Sequence, residues 1–304
     1  MNLLTVAICS FNGAERLPKV LEHIANQKIS NGINFDVMFV DNNCTDNSLQ
    51  VVESFWSSLR TNISLTIIHE PRQGLCYARE AAIHGCTSPI IVFCDDDNWL
   101  EPDYLCQVVS IMESNRLIGA LGGASVVASS APVPAWFPLE AQSYAVGFQS
   151  YYSALTDVTD RGFLWGAGLA LRTDILKQCY SIGVKPLLTG RVGRKQLAGD
   201  DSEICLWIIL AGYRLYFSPS LKFTHFIPHS RLSLDNLSAM KSGFRASSAY
   251  LDSYRFFAGL PPFRSSFKII VLIKLAMAFC VLILNPVIAY RVWLNSRMIK
   301  TIFP

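Results

Sequence analysis

The chain has 304 residues, 51% of them hydrophobic and 16% charged, with 26 basic against 23 acidic side chains. That is about twice the ~150 residues of a common domain, and more apolar than the roughly 45–50% of average soluble proteins. A disulfide-stapled miniprotein and a disordered chain are excluded, and a net charge of +3 gives no general case for nucleic acid as a partner.

Taken in order, the first hundred residues alternate short apolar, β-rich runs (3–8, 35–40, 64–68 and 90–93) with segments of helical period (14–27, 46–59 and 74–85). This is the pattern of parallel βαβ units, and strands apolar on both faces predict a sheet covered by helices on both sides. A helix over 102–114 and a strand over 118–123 follow. The Pro-rich, aromatic stretch 132–138 reads as a surface loop. Further on, a strand over 169–172 leads into a helix from Thr173, 201–211 reads as helical and 214–217 as extended.

The tail differs in charge. All 23 acids lie at or before Asp252, while residues 253–304 hold seven Lys and Arg. Within it, 269–288 is apolar apart from Lys274, Asn285 and Pro286, close to the ~20 residues that cross a bilayer core. Basic residues on both flanks favour a helix lying in, or dipping into, one leaflet. The domain expectation is a catalytic unit over 1–230, with halves of about 1–125 and 126–230. A linker or helical segment over 231–262 and a basic, membrane-associating tail over 263–304 complete it. Nine cysteines without zinc spacing read as reduced thiols, and no secretory leader is expected before the strand-like start.

Several strands end in polar groups. Cys94-Asp95-Asp96-Asp97-Asn98 places three carboxylates at the carboxyl end of an apolar strand, where ligands bind open α/β sheets. Crowding them is costly unless a cation offsets their repulsion, and hard oxygen ligands suit Mg²⁺ or Mn²⁺ shared with phosphates. Asp41 ends the second run, and Ser10 and Asn12 end the first, where a ribose, base or phosphate would be read. Arg79, on the helix after Gly74, suits a diphosphate or base. A second acidic cluster, Asp200-Asp201-Ser202-Glu203, opens the apolar helix after a Gly-rich basic approach, and His225 follows a strand-like run as a candidate metal ligand.

The ordered set over roughly 3–230 resembles the family 2 glycosyltransferases. It comprises Ala7-Ile8-Cys9-Ser10-Phe11-Asn12, the run from Val40 to Asp46, the run from Gln73 to Arg79, Asp95-Asp96-Asp97, Gly166-Ala167-Gly168 and Gly199 to Glu203. The resemblance implies a GT-A fold: a Rossmann-like, mostly parallel sheet flanked by helices. Ser10, Asn12, Glu15, Asp41, Arg79, Asp95 and Asp96 would line a nucleotide-sugar pocket. Asp97 would hold Mg²⁺ or Mn²⁺ and Asp201 would be the general base; apart from the resemblance, His225 is the further candidate metal ligand, and Trp165, in an aromatic segment suited to sugar rings, and Asp200 are the candidates to meet the acceptor. The family commonly has Glu-Asp where this chain has Asp200-Asp201, and often Tyr where Phe11 stands.

By this resemblance the reaction is inverting transfer from a nucleotide sugar, with a UDP-sugar the expected donor, to a hydroxyl of a glycan or polyprenyl-linked acceptor. The expected setting is surface polysaccharide synthesis at the cytoplasmic face of a bacterial inner membrane. The competing readings are a nucleotidyltransferase, which would carry a Gly-rich, Arg/Lys-containing loop where Ser10–Arg16 stands, and an inactive membrane scaffold.

Overall fold

The computed structural model describes residues 2–30, 33–192, 195–196 and 198–263. The expected membrane segment, Gly193 and Arg194 lie outside the described residues. Among those described, no helix is long and apolar enough to cross a membrane.

The first half follows the βαβ expectation. Strands β1 (Leu4–Ser10), β2 (Phe35–Asp41), β3 (Leu65–His69) and β4 (Ile90–Phe93) alternate with helices α1 (Leu17–Ala25), α2 (Ser48–Ser58) and α3 (Leu75–Gly85). They pair in parallel in the order β3-β2-β1-β4, and every residue of β1 and β4 is buried. One apolar layer packs Leu17, Val20 and Leu21 of α1 against Val6, Ile8 and Phe39. The other packs Ala78, Ala82 and Ile83 of α3 against Ala7, Met38 and Ile91. Two helical layers thus cover the sheet, as both-sided apolar strands require.

The second half is mixed. A short strand β5 (Asn98–Leu100), helix α4 (Tyr104–Ser114) and the long strand β6 (Ile118–Ala128) precede a one-turn helix α5 (Phe137–Glu140) and the two-residue strand β7 (Thr156–Asp157). After these come β8 (Leu169–Arg172), α6 (Thr173–Ser181), a small hairpin of β9 (Arg191–Val192) and β10 (Lys195–Gln196), α7 (Asp200–Leu210), β11 (Arg214–Phe226) and α8 (Leu234–Phe257). The sheet continues β4-β8-β6-β11-β5, and only β6 and β11 in that half run parallel. The expectation of a mostly parallel sheet therefore fits the first half alone, because β8 enters antiparallel between β4 and β6.

Three local readings change. β11 continues through Ser218-Pro219-Ser220, with its register to β6 shifting between Phe217 and Lys222, so the extended run does not stop at Phe217. A bulge absorbs the proline that would otherwise end a ladder. The stretch 132–138 is not wholly a surface loop. Phe137 is buried against Tyr144, Ile227 and Met240, since an aromatic ring gains more in that cluster than in water. The segment 231–262 carries the 24-residue α8, capped by the Ser233 hydroxyl and packed on α7.

Candidate functional site

The carboxyl ends of β1 and β2 meet as a hydrogen-bonded clasp. Asn12 adopts a left-handed backbone at φ 54°, which asparagine tolerates better than most residues. Its Oδ1 accepts from the Thr45 and Asp46 amides at 2.8 and 3.3 Å. The Ser48 hydroxyl accepts from Gly13 N at 2.9 Å, and Asp46 from Ala14 N at 3.2 Å. Asp41 accepts from Cys44 N at 2.8 Å and meets His69 Nδ1 at 3.0 Å, and these bonds overcome its burial to hold its pKa below the ordinary value. The neighbouring Asn42 accepts from Gly74 N at 2.8 Å and donates to the Arg72 carbonyl at 2.7 Å, fixing the start of α3.

The three acids of the triplet diverge, each toward its own cation. Asp96 accepts from Ser10 Oγ at 2.6 Å and is gripped in a fork by Arg16, at 3.0 Å from Nε and 2.9 Å from Nη2. Asp95 lies 3.6 Å from Arg79. Asp97 faces Arg231 at 3.2 Å and His225 Nε2 at 3.4 Å, and accepts from Asn98 at 3.0 Å. Burial and the neighbouring acids push Asp95 up to about 6, against the pull of Arg79. Asp97 is held below the ordinary carboxylate range, because His225, Arg231 and Arg16 outweigh its burial. The cation the crowded acids required is thus supplied in part by arginines. The pairing of Asp97 with His225 follows from register: β5 runs antiparallel to β11 with Asn98 opposite His225, and Phe226 N donates to the Asp97 carbonyl at 2.8 Å.

Does this wall suit a divalent cation? Among the described residues no three His, Cys, Asp or Glu side chains converge closely enough to hold one alone. Asp97 and His225 nevertheless give an anionic oxygen and an imidazole nitrogen at one point, a mixed donor set that fits Mn²⁺ better than the all-oxygen shell Mg²⁺ prefers. Such ions commonly take one or two protein ligands and complete their shell with phosphate oxygens and water. The donor set fits on those terms.

The facing wall is the amino end of α7. Asp201 accepts from Gly166 N at 2.8 Å through Oδ2 and from Ser202 N at 2.7 Å through Oδ1. Burial and the adjacent Asp200 raise its pKa, with Arg79 opposing. Asp200 takes a 2.6 Å bond from Arg79, whose buried guanidinium also lies over the Phe93 ring at 5.2 Å. Arg79 therefore joins the triplet wall to the α7 wall, and Gly166 is glycine because a Cβ there would strike the guanidinium. Glu203 is structural: it accepts from Leu187 N at 2.9 Å, Leu188 N at 3.0 Å and Tyr254 Oη at 2.9 Å.

Between the walls lies a cavity of about 1210 Å³. Ser10, Arg79, Asp95, Asp96 and Asp97, with His225 beside Asp97, line it together with Trp165, Asp200 and Asp201. Asn12, Glu15 and Asp41 do not line it. The first and third are spent on the loop clasp, and Glu15 is exposed in the turn that precedes α1 with no hydrogen bond among the described residues. Sequence reading missed Arg16, Asn42, Arg161 and Arg231, which do line it. Arg16 lies four residues beyond Asn12 and is visible in sequence as the first cation after β1. Arg161 and Arg231 carry no comparable local signal.

The sequence model of glycosyl transferase family 2 matches residues 5–177. A glucosyl-dolichyl phosphate glucuronosyltransferase of Haloferax volcanii is 23% identical over 186 residues, covering 57% of this chain and 55% of that protein. The chain thus spans about half the length of that curated relative. Among solved structures, TarS of S. aureus superposes with a TM-score of 0.58 at 16% identity, covering 83% of this chain and 39% of TarS. The 1–349 piece of TarS in complex with UDP-GlcNAc gives 0.55 at 15% identity, covering 84% of this chain and 71% of the piece. GalNAc-T7 with UDP, GalNAc and Mn²⁺ gives 0.55 at 15% identity, covering 86% and 52%.

Proposed function

Because the chain belongs to glycosyl transferase family 2, we propose that it transfers a sugar, with inversion, from a nucleoside diphosphate sugar to an acceptor hydroxyl, using Asp201 as general base. The observation that carries this reading is the facing arrangement of Asp97–His225 and Asp201 across one cavity, joined by the Asp95–Arg79–Asp200 chain.

Transfer breaks the bond between the anomeric carbon and the diphosphate oxygen, so negative charge grows on the leaving group. Asp97 and His225 would hold Mg²⁺ or Mn²⁺, which supplies Lewis-acid stabilisation of that charge. Ser10 and the Asp96–Arg16 pair stand where the nucleotide portion would lie along the carboxyl ends of β1 and β4. Across the cavity, Asp201 takes the proton of the attacking hydroxyl as the new carbon–oxygen bond forms. Its two backbone bonds fix the carboxylate, and its raised pKa makes it a stronger base than an ordinary aspartate. Attack from the face opposite the departing diphosphate inverts the anomeric centre.

UDP and UDP-GlcNAc in the TarS complexes, and UDP with Mn²⁺ in GalNAc-T7, favour a uridine nucleotide and a divalent metal. The aromatic wall at Trp165 suits a sugar ring of a glycan or polyprenyl-linked acceptor. The acid-free, basic tail fits an enzyme held at the cytoplasmic face of a bacterial inner membrane, in surface polysaccharide synthesis.

Thermal stabilisation of the full chain by UDP, GDP, dTDP and CDP, each with and without Mn²⁺, tests the donor site. A ligand at 100 times its Kd adds about 2.7 kcal/mol. One nucleotide should stabilise only with metal, and Asp97→Ala should abolish the gain. Stabilisation by none of them in a folded sample would sink the reading.

A further inference from the structure

Five arginines line the cavity: Arg245 on α8, three that face carboxylates (Arg16 meets Asp96, Arg79 meets Asp95 and Asp200, and Arg231 meets Asp97), and Arg161. Arg161 differs. It is half-buried, no carboxylate lies within ion-pair reach among the described residues, and its hydrogen bond runs from Nη1 to the Gln149 carbonyl. Its guanidinium instead lies over Phe163 at 4.2 Å and near Trp165 at 5.6 Å. Asp201 acts on it only from beyond ion-pair reach, so among the described residues this half-buried cation has no paired carboxylate and can take the anion of a ligand.

Its place is fixed from two sides. Gln149 also accepts from Trp165 N at 2.8 Å, and the next residue, Gly166, donates to Asp201, so Arg161 stands on the wall of the general base. From the other side, Arg255 of α8 donates to the Arg161 carbonyl at 2.7 Å and to the Pro261 carbonyl at 2.6 Å. Asp252 accepts from Phe263 N at 2.6 Å, and the Phe263 ring lies 6.1 Å from Phe163. The chain therefore leaves the described region at the rim of the cavity beside Arg161. Phe244, Leu251, Phe163 and Phe263 give that rim an apolar lining, and Phe256 and Phe257 beyond it are exposed.

We infer that Arg161 binds a phosphate group of the acceptor, whose hydrocarbon chain leaves along the Phe163–Phe263 edge toward a lipid surface. An arginine fork matches phosphate oxygens, and stacking on Phe163 and Trp165 holds it ready for them. The forty-one residues after Phe263 contain no acid and are rich in apolar and basic side chains, which suits a lipid surface at that exit. The inference rests on Asp201 marking the acceptor side, and it assigns the acceptor class: a phosphate-linked lipid.

The test is calorimetric titration of the full chain in uncharged detergent, saturated with UDP and Mn²⁺, with three probes: farnesyl phosphate, inorganic phosphate and farnesol. Farnesyl phosphate should bind most tightly, and Arg161→Gln should weaken it roughly 10- to 100-fold, with partial recovery in Arg161→Lys. Phe263→Ser should weaken farnesyl phosphate while leaving inorganic phosphate unchanged. Equal binding of farnesyl phosphate to wild type and Arg161→Gln overturns the assignment. Inorganic phosphate binding as tightly as the ester removes the lipid. Failure of wild type to bind UDP at all overturns the donor reading instead, and is seen in the same cell before any probe is added.

Discussion

The wall assigned to the donor draws its polar groups from the ends of neighbouring parallel strands, whereas the wall assigned to the acceptor gathers residues that are distant in sequence. Ser10, Asn42 and the Asp95–Asp97 triplet leave β1, β2 and β4 at the same sheet edge. Arg161, Trp165, Asp201 and α8 are joined by contacts such as Arg255 to Arg161, 94 residues apart. The donor wall is closed by short hydrogen bonds within and between adjacent loops. The acceptor wall depends on one buried cation, one glutamate and a helix laid across it. A parallel sheet edge delivers a site almost by topology, while the opposite wall has to be assembled from long-range packing.

The largest expected effect breaks the acceptor wall at its chemistry. Asp201→Asn keeps the size of the side chain but removes the base, and should lower kcat about 10²- to 10⁴-fold. Metal-dependent nucleotide binding should be retained. Transfer at the wild-type rate would move the base to Asp200 or end the catalytic reading. The acid limb of kcat/KM should lie above the range of an ordinary aspartate, since burial and Asp200 raise the pKa of Asp201. The base is active when deprotonated, so activity falls as pH drops through that raised value. Asp200→Asn removes the neighbouring negative charge and should move the limb to lower pH, as read in a pH–rate profile.

The second prediction severs the two walls. Arg79→Met leaves Asp95 and Asp200 without the buried cation between them, and removing one partner of such a group costs about 3–5 kcal/mol. Both nucleotide affinity and transfer should fall with the melting temperature. A normal Tm would mean the two acids find other partners and the bridge is not what joins the walls.

The same contrast sets what the sequence discloses. Apolar period and strand-end acids are local signals, so β1 to β4, α1 to α3 and the triplet are legible to within a few residues. The identity of the pocket-lining groups is less so. Asn12 and Asp41 sit at the right edge, yet their side chains turn into the β1–β2 clasp, and Asn42 reaches the cavity in their place. The second half is harder because Pro219 hides the continuity of β11, and because β5, three residues long, has no periodicity of its own. Without that pairing, His225 has no visible neighbour. Arg161 is illegible for the same reason: its role comes from Gln149, Phe163 and Arg255, which no short motif unites.

Glu203 is the structural acid of α7, in contrast to Asp201, the proposed base. Burial raises its pKa above the ordinary 4.5, although the Leu187 and Leu188 amides and Tyr254 oppose the shift. With a folded value above the unfolded one, its favourable contribution is complete below about 4.5 and fades as pH rises through the raised value. Glu203→Gln should therefore destabilise most in acid, by roughly 1–3 kcal/mol for the amides it leaves poorly paired, and less at pH 8. Thermal melts at pH 4.5 and 8 check the sign. An equal loss at both pH values would show that the carboxylate is not disfavoured by folding.

The smallest effect tests the donor wall where the structure departs from expectation. If Asn12 serves as a clasp and not as a nucleotide ligand, Asn12→Ala should cost about 1–2 kcal/mol, through the lost bonds to Thr45 and Asp46 and the left-handed backbone that alanine resists. Asn12→Gly accepts that backbone freely and should recover part of the loss, while UDP affinity changes little in either variant. The shift in Tm, some 2–4 °C per kcal/mol for a chain of this class, is measurable beside a titration of UDP with Mn²⁺. A tenfold loss of UDP affinity at unchanged Tm would return Asn12 to the nucleotide and make the donor wall, like the acceptor wall, one whose ligands are set by more than the strand ends that present them.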